Sequence, residues 1–408
     1  MKQDLDRLME ERGLDAALVA GHLDGNPALV YMLNGAAVSQ GYVIKRRGHE
    51  PVFFCSSLER EEALASGLPV VNLNKFDYLG VLQKVGDHLA ADVELYRRMF
   101  AELDVRGRVG FYGMSDRGRA WMLLNALQER LEGIEVRGEY EVTLFDAARG
   151  TKDTAEAERI HAVGRATEAI VGETLEFLCS HAVKDGALVE SDGAPLTIGR
   201  VHAEIRRLIA AHGLEDPEGF IFSIGRDAGI PHSKGAPEDI MMLGRTIVYD
   251  IFPREPGGGY FFDMTRTFCL GYAPPEVERA YRDVADCVEH LMAAYEVGSE
   301  MRRYQRMTCE FFESRGHPTV ASDSTTEVGY THSIGHGLGL AIHEEPFFSD
   351  NPTNTGCLLP GHIFSCEPGL YYPDEGLGVR IEDVVWIDEG GRVHDLTAFP
   401  KELVVEVS

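Results

Sequence analysis

The chain has 408 residues, 44% hydrophobic and 26% charged, a profile that excludes a disordered, collagenous or multispanning protein. With 39 Lys plus Arg against 66 Asp plus Glu the formal charge is −27, and such a surface repels phosphate backbones and anionic lipids. No nucleic acid and no membrane are therefore expected as partners.

The opening residues Met1-Lys2-Gln3-Asp4-Leu5-Asp6 carry early acids and no apolar run, so no signal peptide is expected. Seven scattered cysteines without a C-x-x-C pair predict reduced thiols and a cytoplasmic location.

Residues 1–150 alternate short β-like runs with helical stretches. Segments 16–20, 41–44, 51–55 and 108–112 read as strands, and 57–66, 78–100 and 115–132 as helices. A smaller mixed α/β domain is predicted, with no glycine-rich phosphate loop in it. A boundary falls near Gly150, and 151–408 forms the second domain. Asp153 followed by Glu156 has the form of an N-cap with its partner, ahead of Ile160, Val163, Ile170, Val171, Leu175 and Leu178 at helical spacing. A second helix spans about 197–212, and strands follow at 219–225, 246–252 and 260–270. The order then repeats, with helices over 276–297 and 302–315 and strands over about 328–334, 363–372 and 379–388. Two successive helix-helix-strand units predict an α+β domain that is internally duplicated, its sheet covered on one face by helices.

Residues suited to chemistry lie after position 230. Asp250 and Asp263 each sit in an apolar, β-branched run, joined by the turn-rich Pro253-Arg254-Glu255-Pro256-Gly257-Gly258-Gly259, which reads as a hairpin. Strand centres seldom hold Asp, because an unpaired buried carboxylate is costly. Pairing with Arg266 would account for one such residue but not for two. His332, His336 and His343 fall within twelve residues, among glycines that let a ligand approach the backbone. His343-Glu344 is not an H-E-x-x-H zinc helix, since position 347 is Phe and Pro346 intervenes. Glu367 and Glu382 read as strand-embedded acids, and period-two alternation puts Arg380 on the same face as Glu382.

Four carboxylates facing one interior repel each other unless cations sit among them. Oxygen-rich ligation with one or more imidazoles suits Mn²⁺ or a similar divalent ion and is too rich in carboxylate for a structural zinc. Five side-chain ligands exceed the needs of one ion and point to two, about 3.5–4 Å apart, as in many hydrolases.

In this order and spacing the residues resemble the metallopeptidases of the pita-bread fold, which include Xaa-Pro dipeptidase (prolidase), aminopeptidase P and methionine aminopeptidase. Ile230-Pro231-His232 is similar to the family's Pro-His. Asp250 and the Asp263-Met-Thr-Arg-Thr-Phe run are similar to its two aspartate motifs. The block from His332 through His336-Gly-x-Gly to His343-Glu matches its histidine block, and Glu367-Pro-Gly-Leu-Tyr and Gly-Val-Arg380-Ile-Glu382-Asp match its glutamate motifs. Residues 1–150 resemble, more loosely, the N-terminal domain of prolidases and aminopeptidases P. One departure is that Phe252-Pro253 replaces the family's small residue, with thirteen positions rather than eleven between the aspartates.

The resemblance implies a duplicated pita-bread catalytic domain preceded by the smaller N-terminal one. Its two divalent ions, Mn²⁺ foremost with Co²⁺ or Zn²⁺ as alternatives, would be held by Asp250, Asp263, His336, Glu367 and Glu382, with Asp263 and Glu382 bridging. A bridging water of lowered pKa would serve as nucleophile, Glu367 would handle its proton, and His232 and His343 would hydrogen-bond the scissile carbonyl. His332 and Arg380 would support these groups from behind. The implied activity is hydrolysis of the bond before proline, of dipeptides first, with aminopeptidase P action on longer peptides as the alternative and a metal-free creatinase-like hydrolase or binding module as a different class. A homodimer is implied as well. A dipeptidase must also read a free carboxylate, and Arg254 on the longer turn is the candidate cation.

Overall fold

The computed structural model describes residues 4–408 and divides into two compact units. One runs to Arg149 and includes Gly257–Gly259; the other comprises Gly150–Pro256 and Tyr260–Ser408.

The first unit is built on a six-stranded mixed sheet in the order Val70–Asn72, Val52–Cys55, Gln40–Arg46, Ala16–His22, Gly107–Gly113, Ile134–Arg137. Its core gathers Leu18, Ile44, Phe54 and Val109 from the strands and Tyr96, Met99, Phe100 and Leu127 from the helices. The helix expected over 78–100 is two helices, Tyr78–Val85 and His88–Glu102. Gly86 at φ +69 ends the first, and the Asp87 side chain accepts from the Ala90 N–H (2.7 Å) to start the second.

The second unit opens with the helix Thr154–Cys179, started by a full capping box between Asp153 and Glu156. The helix Ile198–Ala211 follows, and then a sheet ordered Val404–Val405, Met264–Leu270, Thr246–Ile251, Ile221–Ile224. Helices Pro275–Met292 and Met301–Ser314 come next, with a five-stranded sheet ordered Glu344–Phe347, His336–Gly337, Ile363–Cys366, Asp383–Ile387, Val393–Asp395. The apolar stripe of the later helix pair, Val284, Val288, Leu291 and Phe312 among it, packs with Phe364, Leu370, Val379 and Val385 in one core. Two helix pairs, each followed by a sheet, give the duplicated α+β pattern.

Several strand expectations are corrected. No strand forms over 328–334; Tyr330 instead donates to the Pro318 carbonyl (3.0 Å), and Gly329 and Tyr371 exchange backbone bonds. The run 363–372 splits into Ile363–Cys366 and Gly369–Tyr372, in different sheets, because Pro368 has no N–H to continue the ladder. The run 379–388 likewise splits into Leu377–Arg380 and Asp383–Ile387. Residues 260–263 lie in the turn before Met264–Leu270, where Phe261 donates to Gly339 (2.8 Å) and Phe262 to Pro253 (3.1 Å).

Candidate active site

The hairpin of Thr246–Ile251 and Met264–Leu270 pairs Asp250 with Thr265, so Asp263 stands one residue ahead of its strand rather than inside it. Both strands are buried throughout, and Asp250 and Asp263 are only 7% and 5% exposed. Glu367 and Glu382 also sit at strand interruptions, not within strands. The Glu367 N–H donates to Ile334 (2.9 Å) and the Glu382 N–H to Thr265 (3.0 Å), so backbone bonds to neighbouring segments fix both residues where the ladders break.

His336 begins the short strand His336–Gly337. Its Nδ1 lies 3.1 Å from the Gly337 carbonyl, which can only accept, so Nδ1 carries the proton and Nε2 keeps a lone pair. That Nε2 faces Asp263 Oδ2 at 3.7 Å and Glu367 Oε1 at 3.5 Å. Burial holds the His336 pKa below its ordinary value, which keeps the ring neutral, the state that can ligate. The flanking glycines are required by close packing: a Cβ at Gly335 would stand 2.0 Å from the Ser365 carbonyl, and one at Gly337 2.1 Å from that of Glu345.

Ligand atoms of Asp263, His336 and Glu382 all lie within 4.8 Å of one another. Burial, with repulsion from Glu382, Asp250 and Glu367, pushes the Asp263 carboxyl well above its usual range. Burial, with Glu367 and Asp250, does the same to Glu382. Asp250 Oδ1, Asp263 Oδ1 and Glu382 Oε1 are buried without a hydrogen-bond partner. Three unpartnered carboxylate oxygens beside a neutral imidazole are the donor set a divalent cation takes, so the residues fit the metal expected of them.

Arg380 lines the same cleft as Glu382, and its charge acts on that carboxylate. Its guanidinium pairs with Asp250 rather than Glu382, and also donates to the Thr265 hydroxyl (3.0 Å), the Tyr371 hydroxyl (2.8 Å) and the Pro231 carbonyl (3.3 Å). Thr265 stands between the two groups that alternation puts on one face, accepting from Arg380 and donating to Glu382 Oε2 (2.7 Å). Tyr371, its phenol pushed up to about 12 by burial, sits 2.9 Å from His332 Nε2, whose Nδ1 donates to the Ser333 carbonyl (2.7 Å). His343 is exposed and sets its ring edge-on to His336 with centroids 4.3 Å apart. His232 is exposed on the cleft wall.

Asp250, Asp263, Glu367, Glu382, Arg380 and the four histidines at 232, 332, 336 and 343 all line one cleft of about 550 Å³, with Ile221, Phe252, Ile342 and Phe347 as its apolar wall. Arg254 does not line it. Its guanidinium is 3.2 Å from Glu215 Oε2, its side chain is 11% exposed, and the adjacent Glu255 pairs with Arg159. The turn arginine is thus a packed structural residue, because a carboxylate 39 positions earlier reaches it. Thr265, Tyr371 and Lys234 were not singled out from the sequence. The tyrosine lay in a quoted motif, but only the pairing of Gly369 with Arg380 puts its ring beside the guanidinium.

Residues 158–389 match the model of metallopeptidase family M24, more than half of the chain, and the chain belongs to that family. It is 29% identical over 257 residues to the probable dipeptidase PepE of Mycobacterium tuberculosis, a match covering 63% of this chain but only 61% of that relative. It is 25% identical to the Xaa-Pro dipeptidase of Pyrococcus furiosus over 99% of this chain and 100% of the relative. The solved Xaa-Pro dipeptidase from Bacillus anthracis superposes with a TM-score of 0.76 at 21% identity, covering 99% of each chain. The X-Pro aminopeptidase from Thermotoga maritima gives 0.75 at 21% identity, covering 98% of this chain and all of that one. The chain therefore has the pita-bread fold. Among the described residues no helix is long and apolar enough to cross a membrane.

Proposed function

We propose that the chain is an exopeptidase hydrolysing the Xaa-Pro bond, of dipeptides foremost, with divalent cations held by Asp250, Asp263, His336, Glu367 and Glu382. The observation that carries this reading is the trio of buried, unpartnered carboxylate oxygens in the cleft beside His336. The end-to-end similarity to a Xaa-Pro dipeptidase supports the choice of bond. Two divalent ions bound there, Mn²⁺ foremost with Co²⁺ or Zn²⁺ as alternatives, would supply Lewis acidity toward a water and a carbonyl.

The chain's own residues do the rest. Asp263 and Glu382 would hold both ions, Asp250 one of them, and His336 with Glu367 the other. Glu367, held by the Ser365 hydroxyl at Oε1 (3.2 Å), takes up the proton of the attacking water and hands it to the leaving imide nitrogen. His343 and His232 donate to the oxygen of the scissile carbonyl as charge grows on it. Arg380 pairs with Asp250, and the Arg380–Tyr371–His332 chain fixes the cleft wall. The same reading takes the protein as a cytoplasmic homodimer, which sedimentation and fractionation test.

A second cavity of about 320 Å³ shares His332, Ser333 and Ser349 with the cleft, and this extra room favours aminopeptidase P action on longer peptides as the second reading. Assaying Ala-Pro beside Ala-Pro-Ala, with chelated and metal-restored protein, tests both. Metal-dependent cleavage of Ala-Pro is expected to dominate. Dominant cleavage of the tripeptide selects the second reading, and full turnover in protein verified free of metal overturns both.

A further inference from the structure

A dipeptide differs from a longer peptide in carrying its carboxylate on the second residue, so a cleft that prefers dipeptides must offer a cation there. Arg380 and Lys234 are the lysine and arginine side chains of the cleft lining. Arg380 is committed, with four N–H groups given to Asp250, Thr265, Tyr371 and Pro231.

Lys234 is different. It is exposed, and its Nζ donates to one backbone carbonyl, that of Glu218, at 3.2 Å. Among the described residues no carboxylate lies within ion-pair distance of it; Asp216 feels its charge only at longer range, and the Glu218 carboxylate acts on His343. Its position is built into the backbone. Gly219, at φ +81, leaves open the space where a Cβ would stand 2.5 Å from Nζ, so the ammonium rests against bare main chain. Two residues earlier, His232 lines the same cleft.

We propose that Lys234 is the specificity-determining residue that reads the free carboxylate of a dipeptide substrate, an inference that rests on the peptidase reading above. The carboxylate replaces solvent around an ammonium that the Glu218 carbonyl and Gly219 hold in place. Rejection of amides and longer peptides follows, because each leaves Lys234 without its anion.

The test uses the metal-loaded enzyme, Ala-Pro and Ala-Pro amide as substrates, and as binding probes the reduced analogue Ala-ψ(CH2N)-Pro and its amide, which have no carbonyl to hydrolyse. In Lys234→Met the preference for acid over amide should fall about 10–100-fold, carried by KM, while Lys234→Arg should retain it. Calorimetry should show the analogue acid binding wild type more tightly than its amide, with the difference erased in Lys234→Met. Should that hold while Ala-Pro goes uncleaved, the Xaa-Pro reading falls and Lys234 stands. Equal affinity for acid and amide in wild type, or a difference that survives Lys234→Met, overturns the role of Lys234 even where Ala-Pro is cleaved.

Discussion

Glu382 and Asp383 are neighbours in the chain, both buried, and they meet opposite surroundings. Asp383 lies 2.8 Å from the Arg266 guanidinium and 2.6 Å from the Lys401 ammonium, two organic cations for one acid. Glu382 faces Glu367, Asp250 and Asp263, and burial with repulsion from Glu367 and Asp250 pushes it well above the ordinary carboxylate range. The same residue chemistry is structural where the protein supplies the counter-charge and functional where it withholds it. An acid without a cation inside a protein is a request for one from outside.

Variants on the two sides can break or sharpen this contrast. The largest effect is expected in the cleft: Asp263→Asn should lose bound metal, read by elemental analysis, and drop activity to background. If that variant still held two ions, the assignment of Asp263 to both would be wrong. On the paired side, Asp383→Asn should leave Arg266 buried without its anion and lower stability by about 3–5 kcal/mol, read by urea unfolding, while metal per folded molecule is kept. Comparable metal loss in both variants would erase the distinction.

His343→Ala should cost about 10²–10³ in kcat with the ions retained, since the residue supplies a donor and not a ligand. Tyr371→Phe, which cuts the relay between Arg380 and His332, should lower activity about 10–100-fold. The smallest effect concerns Asp395 on the paired side, whose pKa is raised from 3.8 to about 6 by burial and by Asp383. Because the folded state binds this proton more tightly than the unfolded one, stability falls as pH rises from about 4 through about 6. Asp395→Asn should therefore gain on the order of 1 kcal/mol at pH 7 and nothing below pH 4. A gain that persists in acid would assign it to something other than charge.

The residues around the cleft were legible because acids in β-branched runs break a local rule, and period and composition expose such breaks. The capping box at Asp153 was legible for a similar reason, being complete within four residues. What escaped was set by register. Only the pairing of Asp250 with Thr265 puts a hydroxyl between Arg380 and Glu382, and alternation along one strand cannot show that the direct partner of the arginine is Asp250. Arg254 failed in the same way as a candidate cation, since only the placement of Glu215 across from it gives its guanidinium a packed partner. Strand ends at Glu367 and Glu382 were missed because an apolar run does not record where its ladder changes sheets.

The breaks in those ladders have a consequence for synthesis. Arg380 stands 130 positions after Asp250, and Glu382 117 after Thr265. A ribosome adds about 5–20 residues each second, so the hairpin is made on the order of ten seconds before the segment that engages it. For that interval the outer edge of Met264–Leu270, a strand buried throughout in the finished fold, lacks its later partners Glu382 and Val404–Val405. The nascent chain is most exposed to misassembly then, and a pause in translation shortly before codon 380 would lengthen that window.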